Sequence, residues 1–276
     1  MRTLLNRWTR SPSVAIPDPI WSSTLASLPF VARLTAHERE RLRTLAAQLL
    51  TDKQMSAAAD LELTSAMQVN IAVQACLPVL NLGLDWYRGW KGIVVYPSEF
   101  LVPRSITDDD GVVHEYVEPI AGEAWDGGPL VLSWEDAQQS ATGAGAAYSV
   151  VIHEFVHKID LLDGEADGVP PFLAAHKSLS LDGWRSVLHQ SFDRFAAELE
   201  LIDAELPDNL DQESDEFDRH YAHLPIDPYG AHDKAEFFAV SSETFFVEPR
   251  RLHDAFPEWY ALLVQFFLQD PLAEVR

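Results

Sequence analysis

Residues 151–160 read Val-Ile-His-Glu-Phe-Val-His-Lys-Ile-Asp and hold two histidines four positions apart, with a glutamate directly after the first. Apolar residues fill the intervening positions, which predicts a partly buried helix. On a helix His153 and His157 stand about one turn apart, so both imidazoles can point at one metal ion, while Glu154, rotated by about 100°, can reach a water bound to it. The spacing therefore indicates a zinc site of the H-E-x-x-H type.

A catalytic zinc site needs a third protein ligand, with a fourth position left open for water. Among the downstream carboxylates we favour Glu236, because it opens an apolar segment that can form a helix beside the first. Glu243, seven residues further along the same face, is the rival ligand or a residue that holds a ligand in place. Asp160, three positions after His157, either fixes the second ring nitrogen of a ligating histidine or caps a loop.

The remaining histidines form no second set with convincing ligand spacing. His220 and His223 are three positions apart beside several acidic residues, and we interpret them as part of an exposed polar segment. The sequence therefore predicts one zinc ion per chain.

The segments before the motif predict helices first and strands afterwards. Thr35 and Glu38 have capping-box spacing and predict a helix that runs to about Leu50. A second helix is expected over residues 62–75, ended by Pro78. Strands are expected at 92–97, 113–117 and 129–134, the second following the turn-like residues 108–111. Strands grouped ahead of the later helices predict a single α+β domain.

Four prolines interrupt residues 10–29 and indicate an extended lead-in that wraps the domain. We therefore divide the chain into a lead-in, residues 1–27, and a single domain, residues 28–276. The strand at 130–134 has two interpretations. It is either an exposed edge that pairs with an extended peptide beside the metal, or a core strand whose alternate side chains face inward.

The charge balance excludes some partners. There are 43 acidic against 20 basic side chains, a formal net charge of −23, which repels phosphate backbones and anionic lipid surfaces. We expect neither direct nucleic-acid binding nor membrane binding. The most acidic stretch, residues 198–218, is interpreted as a solvated face rather than a docking surface.

The cysteine content, the first residues and the length of the apolar stretches indicate the cellular compartment. Cys76 is the one cysteine, so an intramolecular disulfide is impossible, and its apolar neighbours indicate a small core residue. The first residues lack a secretory signal pattern, and no apolar stretch approaches the roughly 18 residues that span a bilayer. We expect a cytoplasmic protein in a reducing environment.

From about Leu28 to Leu272 the sequence strongly resembles the Mlc titration factor A family, bacterial zinc peptidases whose catalytic core is similar to that of anthrax lethal factor. The resemblance rests on matching segments in the same order across most of the chain. These segments are residues 77–86 (Leu-Pro-Val-Leu-Asn-Leu-Gly-Leu-Asp-Trp), 96–97, 128–134, 153–160, 235–246 and 269–272.

The resemblance implies a zincin-like metallopeptidase domain with an active-site helix, a small sheet and flanking N-terminal helices. It also implies that His153, His157 and Glu236 are the zinc ligands and that Glu154 is the general base. Tyr229 falls at the position of a tyrosine near the catalytic centre, where it would donate a hydrogen bond to the oxyanion.

Glu243 also matches a family glutamate, which by the resemblance supports a ligand rather than binding the metal. One departure from the family pattern lies directly ahead of Glu236, where Asp233-Lys234 replaces the more usual Asp-Pro. That difference bears on how the helix of Glu236 begins.

Three functions follow from these readings. The first is a zinc peptidase that hydrolyses peptide bonds. By the resemblance it is of aminopeptidase type and takes part in regulating glucose uptake by binding an Mlc-type transcriptional repressor. The second is a mainly non-catalytic protein that sequesters such a repressor, with a structural or regulatory zinc. The third is a zinc hydrolase of non-peptide amides or esters, since the same water activation serves all three bonds.

Overall fold

The computed structural model describes residues 14–107, 113–125, 127–139, 148–207 and 219–273, and for 101–107 and 113–119 the backbone alone. Three helices open this part of the chain: α1 (Asp18–Ser27), α2 (Ala36–Asp52) and α3 (Ser65–Cys76). The predicted capping box of α2 is confirmed, with the Thr35 and Glu38 side chains each accepting the other's backbone N–H, at 3.2 and 2.8 Å.

The helix α3 begins three residues later than predicted, because the hydroxyl of Thr64 accepts the N–H of Met67 and sets the first turn there. The prediction of an extended lead-in is wrong for residues 18–27, which form the helix α1. Pro17 and Pro19 lie at the N-cap and in the first turn of α1, where a helix needs no N–H donor, so these prolines start a helix instead of preventing one. α1 packs on α3, while the division of the chain at residue 27 stays a prediction.

The larger sheet has four strands, with β1 (Gln54–Ala57), β2 (Gly92–Tyr96), β6 (Leu130–Ser133) and β5 (Gly122–Ala124) side by side in that order. The first three strands are parallel, and β5 pairs antiparallel with β6 through Glu123 opposite Val131. The strands β3 (Phe100–Thr107) and β4 (Val113–Ile120) form a separate antiparallel hairpin, and the turn predicted at 108–111 lies outside the described residues.

The expectation that residues 130–134 form an exposed edge is wrong, and the core-strand alternative is confirmed. β6 lies between β2 and β5, and its four residues are all buried. Trp134 does not extend the strand but begins the short helix α4 (Trp134–Gln139). The edge strand on this side of the sheet is β5, which directly follows the hairpin.

The second half of the described chain is helical. It consists of α5 (Val150–Asp160), α6 (Leu181–Glu205), α7 (Lys234–Val247), α8 (Pro249–Ala255) and α9 (Pro257–Phe267). The chain thus forms one α+β domain, as predicted.

The helix α7 is buried on almost every side, with apolar residues spread around its circumference and several polar residues buried among them. Trp184 of α6 packs edge-on against Trp259 of α9, with ring centroids 4.8 Å apart, and against Phe238 of α7 at 5.8 Å. This aromatic core fixes α7 beside α5, which also contacts β5 and β6.

Part of the acidic segment belongs to the end of α6, where Glu200, Asp203 and Glu205 are exposed. Residues 208–218 lie outside the described residues. Across the described helices, none has both the length and the apolar character needed to cross a bilayer.

Candidate metal centre

The two helices that carry the predicted ligands, α5 and α7, pack side by side and each begins at a side-chain cap. The hydroxyl of Ser149 accepts the N–H of Ile152 at 3.2 Å to start α5. The carboxylate of Asp233 accepts the N–H of Glu236 at 2.9 Å to start α7. Lys234 is therefore accommodated as the first residue of α7, and the departure from the family pattern leaves Glu236 in the first turn.

The structure brings His153, His157 and Glu236 together. The two Nε2 atoms are 3.0 Å apart, and Oε2 of Glu236 lies 3.1 Å from that of His153 and 3.2 Å from that of His157. Ligands held about 2.0–2.1 Å from a tetrahedral ion are roughly 3.3 Å from one another. The three atoms therefore form a triangle of the size that a zinc-like ion needs. Within the part of the chain that the structure describes, these residues are the one such group.

The charges at this triangle favour a cation. Burial on its own would raise the pKa of Glu236, but the hydrogen bonds with the two imidazoles lower it below its ordinary value. Burial would lower the pKa of His153, and its hydrogen bonds to Glu236 and Glu243 outweigh this and raise it. Glu236 is therefore anionic and can act as a ligand at neutral pH.

Glu243 lies on the other side of the His153 ring. Its Oε1 is 2.7 Å from Nδ1 of His153, and its Oε2 accepts the backbone N–H of Ser149 at 2.6 Å. Burial raises the pKa of Glu243, and the contact with His153 opposes the increase. Because Glu243 engages Nδ1, the ring turns Nε2 towards Glu236 and His157. Glu243 thus contacts a ligand from behind and lies outside the triangle.

Glu154 is buried against the edge strand. Burial raises the pKa of its carboxyl to about 7, against the opposing effect of the two imidazoles. The side chain lies so close to β5 that a Cβ added at Gly122 would be 2.5 Å from Oε1. Sequence reasoning missed Gly122. A glycine in a short strand is the signal that another group approaches the backbone closely.

Tyr229 lies at the rim of the site, in the 3₁₀ turn Pro228–Ala231. Its side chain is 51% exposed, and its ring centroid is 6.2 Å from that of His153. The ring also stacks against His232 at 5.9 Å. Tyr229 is therefore close to the triangle and accessible from the solvent.

Asp160 points away from the triangle. Its Oδ2 accepts the N–H of Gly168 at 2.8 Å, so among the described contacts it holds a loop, the alternative that the sequence left open. The expected role of holding a histidine ring falls to Glu243 instead. The reason is geometric, since Asp160 is the last residue of α5 and the chain folds back over it.

A cleft of about 480 Å³ opens over the triangle, in the size range of pockets that bind small molecules. Its walls come from β5, α5, α7 and the turn of Tyr229. Six acidic residues line it and no lysine or arginine of the described residues does. The six are Glu123, Glu154, Asp227, Asp233, Glu236 and Glu243.

Lys158, next to His157, ties α5 to the sheet. Its ammonium donates hydrogen bonds to the backbone carbonyls of Trp125 and Gly128, in the turn between β5 and β6. The helix that carries the two histidines is thereby fixed to the strand that borders the cleft.

Two histidines of one helix and a glutamate of a second are the ligand set of the metallopeptidase class that carries H-E-x-x-H. The family model of the glucose-regulated metallo-peptidase M90 matches residues 3–268. The chain therefore belongs to this metallopeptidase family, and family membership implies a divalent metal.

Individual relatives are similar over nearly the whole chain. Mlc titration factor A of Pectobacterium atrosepticum is 35% identical over 257 residues, which cover 93% of this chain and 88% of that protein. The protein of the same name from Salmonella arizonae is 33% identical over 269 residues, 98% of each chain. That of Klebsiella pneumoniae is 35% identical and covers 93% of this chain and 88% of its own.

Proposed function

We propose that this protein is a zinc-dependent peptidase of aminopeptidase type, with one zinc per chain held by His153, His157 and Glu236. The observation that carries the proposal is the triangle of three donor atoms 3.0–3.2 Å apart, with a buried carboxylate beside it. A zinc ion bound there would lower the pKa of water and polarise a carbonyl oxygen.

Glu154 is the general base of the proposal. It would accept the proton of the attacking water and deliver it to the amine that leaves when the peptide bond breaks. Its position against Gly122 keeps the carboxylate between the edge strand and the two imidazoles. The half-exposed Tyr229 would donate a hydrogen bond to the oxyanion, a contribution that is typically worth about 3 kcal/mol.

An extended peptide would lie along β5. This strand is the last in the order of the described sheet and borders the cleft, and its first residue adjoins Glu154. Acidic residues line the cleft and no lysine or arginine of the described residues does, which favours a substrate that brings a positive charge. A free α-amino group supplies that charge, which supports action at the amino terminus of peptides.

The regulatory part of the proposal comes from the relatives, whose name describes titration of Mlc. We propose that this chain, too, binds an Mlc-type repressor and contributes to regulating glucose uptake, in the cytoplasm. The second candidate is sequestration of the repressor without hydrolysis, favoured by that same name. Neither candidate involves direct contact with nucleic acid or membrane.

The variant Glu154→Gln tests the enzyme directly. It should lower kcat for aminoacyl p-nitroanilides by a factor of about 100 or more, because the base is lost, while zinc per chain by elemental mass spectrometry stays near one. Glu258→Gln, an exposed glutamate in α9, is the control and should retain wild-type rates.

Undiminished hydrolysis by Glu154→Gln would rule out the mechanism. A wild-type protein that carries one zinc and binds repressor, yet cleaves no peptide, amide or ester, would favour sequestration. Cleavage of free but not of N-acetylated peptides is the expected sign of aminopeptidase action.

A further inference from the structure

We infer that Gln74 and Ser149 are positioning residues of the metal centre, which hold Glu243 and through it the ligand His153. The inference rests on the metal-binding part of the proposed function and not on hydrolysis. It concerns a chain of buried hydrogen bonds that begins on α3, far from the H-E-x-x-H motif in sequence.

Gln74 is fully buried on α3, and all of its amide is used. Its Nε2 donates to the backbone carbonyl of Ala137 in α4 at 3.1 Å and to Oδ1 of Asn70 at 2.7 Å. Its Oε1 accepts the hydroxyl of Ser149 at 2.8 Å. Because a backbone carbonyl can only accept, the amide nitrogen has to face Ala137, and the oxygen has to face Ser149.

Ser149, held by Gln74, contacts both the start of α5 and Glu243 of α7. Its hydroxyl proton goes to Gln74, which leaves a lone pair for the N–H of Ile152, the cap of α5. Its own N–H donates to Oε2 of Glu243. The position of Ser149 therefore sets both where α5 begins and where the Glu243 carboxylate lies.

Glu243 completes the chain. One of its oxygens is held by Ser149 and the other contacts Nδ1 of His153, so the carboxylate cannot rotate without losing one of the two. A shift of Ser149 would move the carboxylate, turn the imidazole and displace Nε2 from the 3.0–3.2 Å triangle.

Packing alone does not require this arrangement. Gln74, Ser149 and Glu243 are each at most 3% exposed, and burying polar groups is costly unless they are hydrogen-bonded. Apolar side chains could join α3, α4 and α5 without that cost. The polar chain ends on a metal ligand, where supporting hydrogen bonds typically change metal affinity by a factor of about 10–100.

The test compares two helix caps. Ser149→Ala removes the cap of α5 together with the link to Gln74, whereas Ser180→Ala removes the equivalent cap of α6, away from the cleft. Ser149→Thr keeps a hydroxyl and should therefore keep zinc binding close to that of the wild type. Gln74→Met removes the amide that accepts the Ser149 hydroxyl and keeps a side chain of similar volume.

Zinc affinity is measured by competition with a chromophoric chelator, and zinc release by stopped flow, on variants whose far-UV circular dichroism matches the wild type. Ser149→Ala and Gln74→Met should each bind zinc about 10–100-fold more weakly. Ser149→Thr should remain within about threefold of wild type, and Ser180→Ala should be unchanged. The double variant of Ser149→Ala and Gln74→Met should lose little more zinc affinity than either single variant, because both changes break the same series of hydrogen bonds.

Wild-type zinc affinity and release in Ser149→Ala would overturn the inference, and so would equal losses in Ser149→Ala and Ser180→Ala. If Gln74→Met does not fold, the two serine variants still decide. A wild-type protein that binds zinc but hydrolyses no peptide would contradict the proposed peptidase function without affecting this inference. A wild-type protein that binds no zinc would remove both.

Discussion

The side chain of Glu154 occupies space that is free because residue 122 is a glycine. At Gly122 an added Cβ would lie 2.5–2.7 Å from three atoms of the Glu154 side chain, closer than real Cβ contacts. We expect Gly122→Ala to push the carboxylate aside and lower kcat by at least about tenfold, because a shift of the order of 1 Å in a reacting group is costly. Zinc content should stay near one per chain, since the three ligands are untouched.

Gly183→Ala is the matched control. Gly183 lies in the first turn of α6, where an added Cβ would make an ordinary 3.4 Å contact with Ser180, so activity should be unchanged. Wild-type kcat in Gly122→Ala, with normal zinc content, would show that the base does not depend on this glycine.

At the same scale, local spacing identifies part of the candidate site and misses the rest. The four-residue spacing of His153 and His157 is a property of one helix, so it can be read from the sequence. The choice between Glu236 and Glu243 depends on how α7 rotates against α5, and the residues alone left it open. Gln74 is 75 positions from Ser149, and no local pattern encodes such a contact.

At the scale of secondary structure elements, Asp160 joins three of them. It binds the N–H of Gly168, whose carbonyl accepts the indole N–H of Trp184 in α6 at 2.9 Å. The same glycine has a φ of +77° and packs against the backbone of Lys234 at the start of α7. The other carboxylate oxygen, Oδ1, is buried without a hydrogen-bond partner among the described residues. Asp160 therefore connects the ends of α5, α6 and α7 at an electrostatic cost.

This connection predicts a pH dependence. Burial raises the pKa of Asp160 to about 8, above its unfolded value near 3.9. A raised carboxyl pKa stabilises the fold below the unfolded pKa, and that contribution is lost as the pH rises through about 8. Asp160→Asn keeps the acceptor for Gly168 but cannot ionise. In metal-free protein, its unfolding free energy should fall less between pH 6 and 9 than that of the wild type.

Urea denaturation at each pH measures the difference, with the exposed residue changed in Asp193→Asn as the control. Parallel curves for wild type and Asp160→Asn would contradict the raised pKa.

The capping box makes the start of α2 predictable, whereas the predicted start of α3 lies three residues before the helix begins, and neighbours in the sheet follow from no local pattern. Thr35 marks the start of α2, whereas the prolines predict an extended lead-in although Pro17 suits the N-cap and Pro19 the first turn of α1. The strand β6 has an apolar sequence that suits either an edge or the core. Its central place depends on β5, a strand of three residues too short for its pattern to reveal.

At the scale of the whole molecule, the metal should stabilise the fold. His157 and Glu236 lie 79 positions apart on two different helices, so an ion that binds both favours the folded state over the unfolded chain. At a free zinc concentration of 100 times Kd the gain is about 2.7 kcal/mol, which corresponds to a Tm increase of about 5 °C at this chain length.

Differential scanning calorimetry before and after chelation measures this shift, and added zinc should restore the original Tm. In His157→Ala the chelator should change Tm little, because the site is already incomplete. A wild-type Tm that chelation leaves unchanged would mean that the triangle does not hold an ion.

The edge of β5 also bears on how copies of this protein behave towards one another. Strands at the end of a sheet are places where a second copy can add its own edge, and this is a common start of aggregation. Here β5 borders a cleft lined by six acidic residues, on a chain with a net charge of −23. Two such edges repel each other, whereas a short peptide with a positive amino terminus is attracted. The same acidity that suits a substrate therefore opposes self-association along β5.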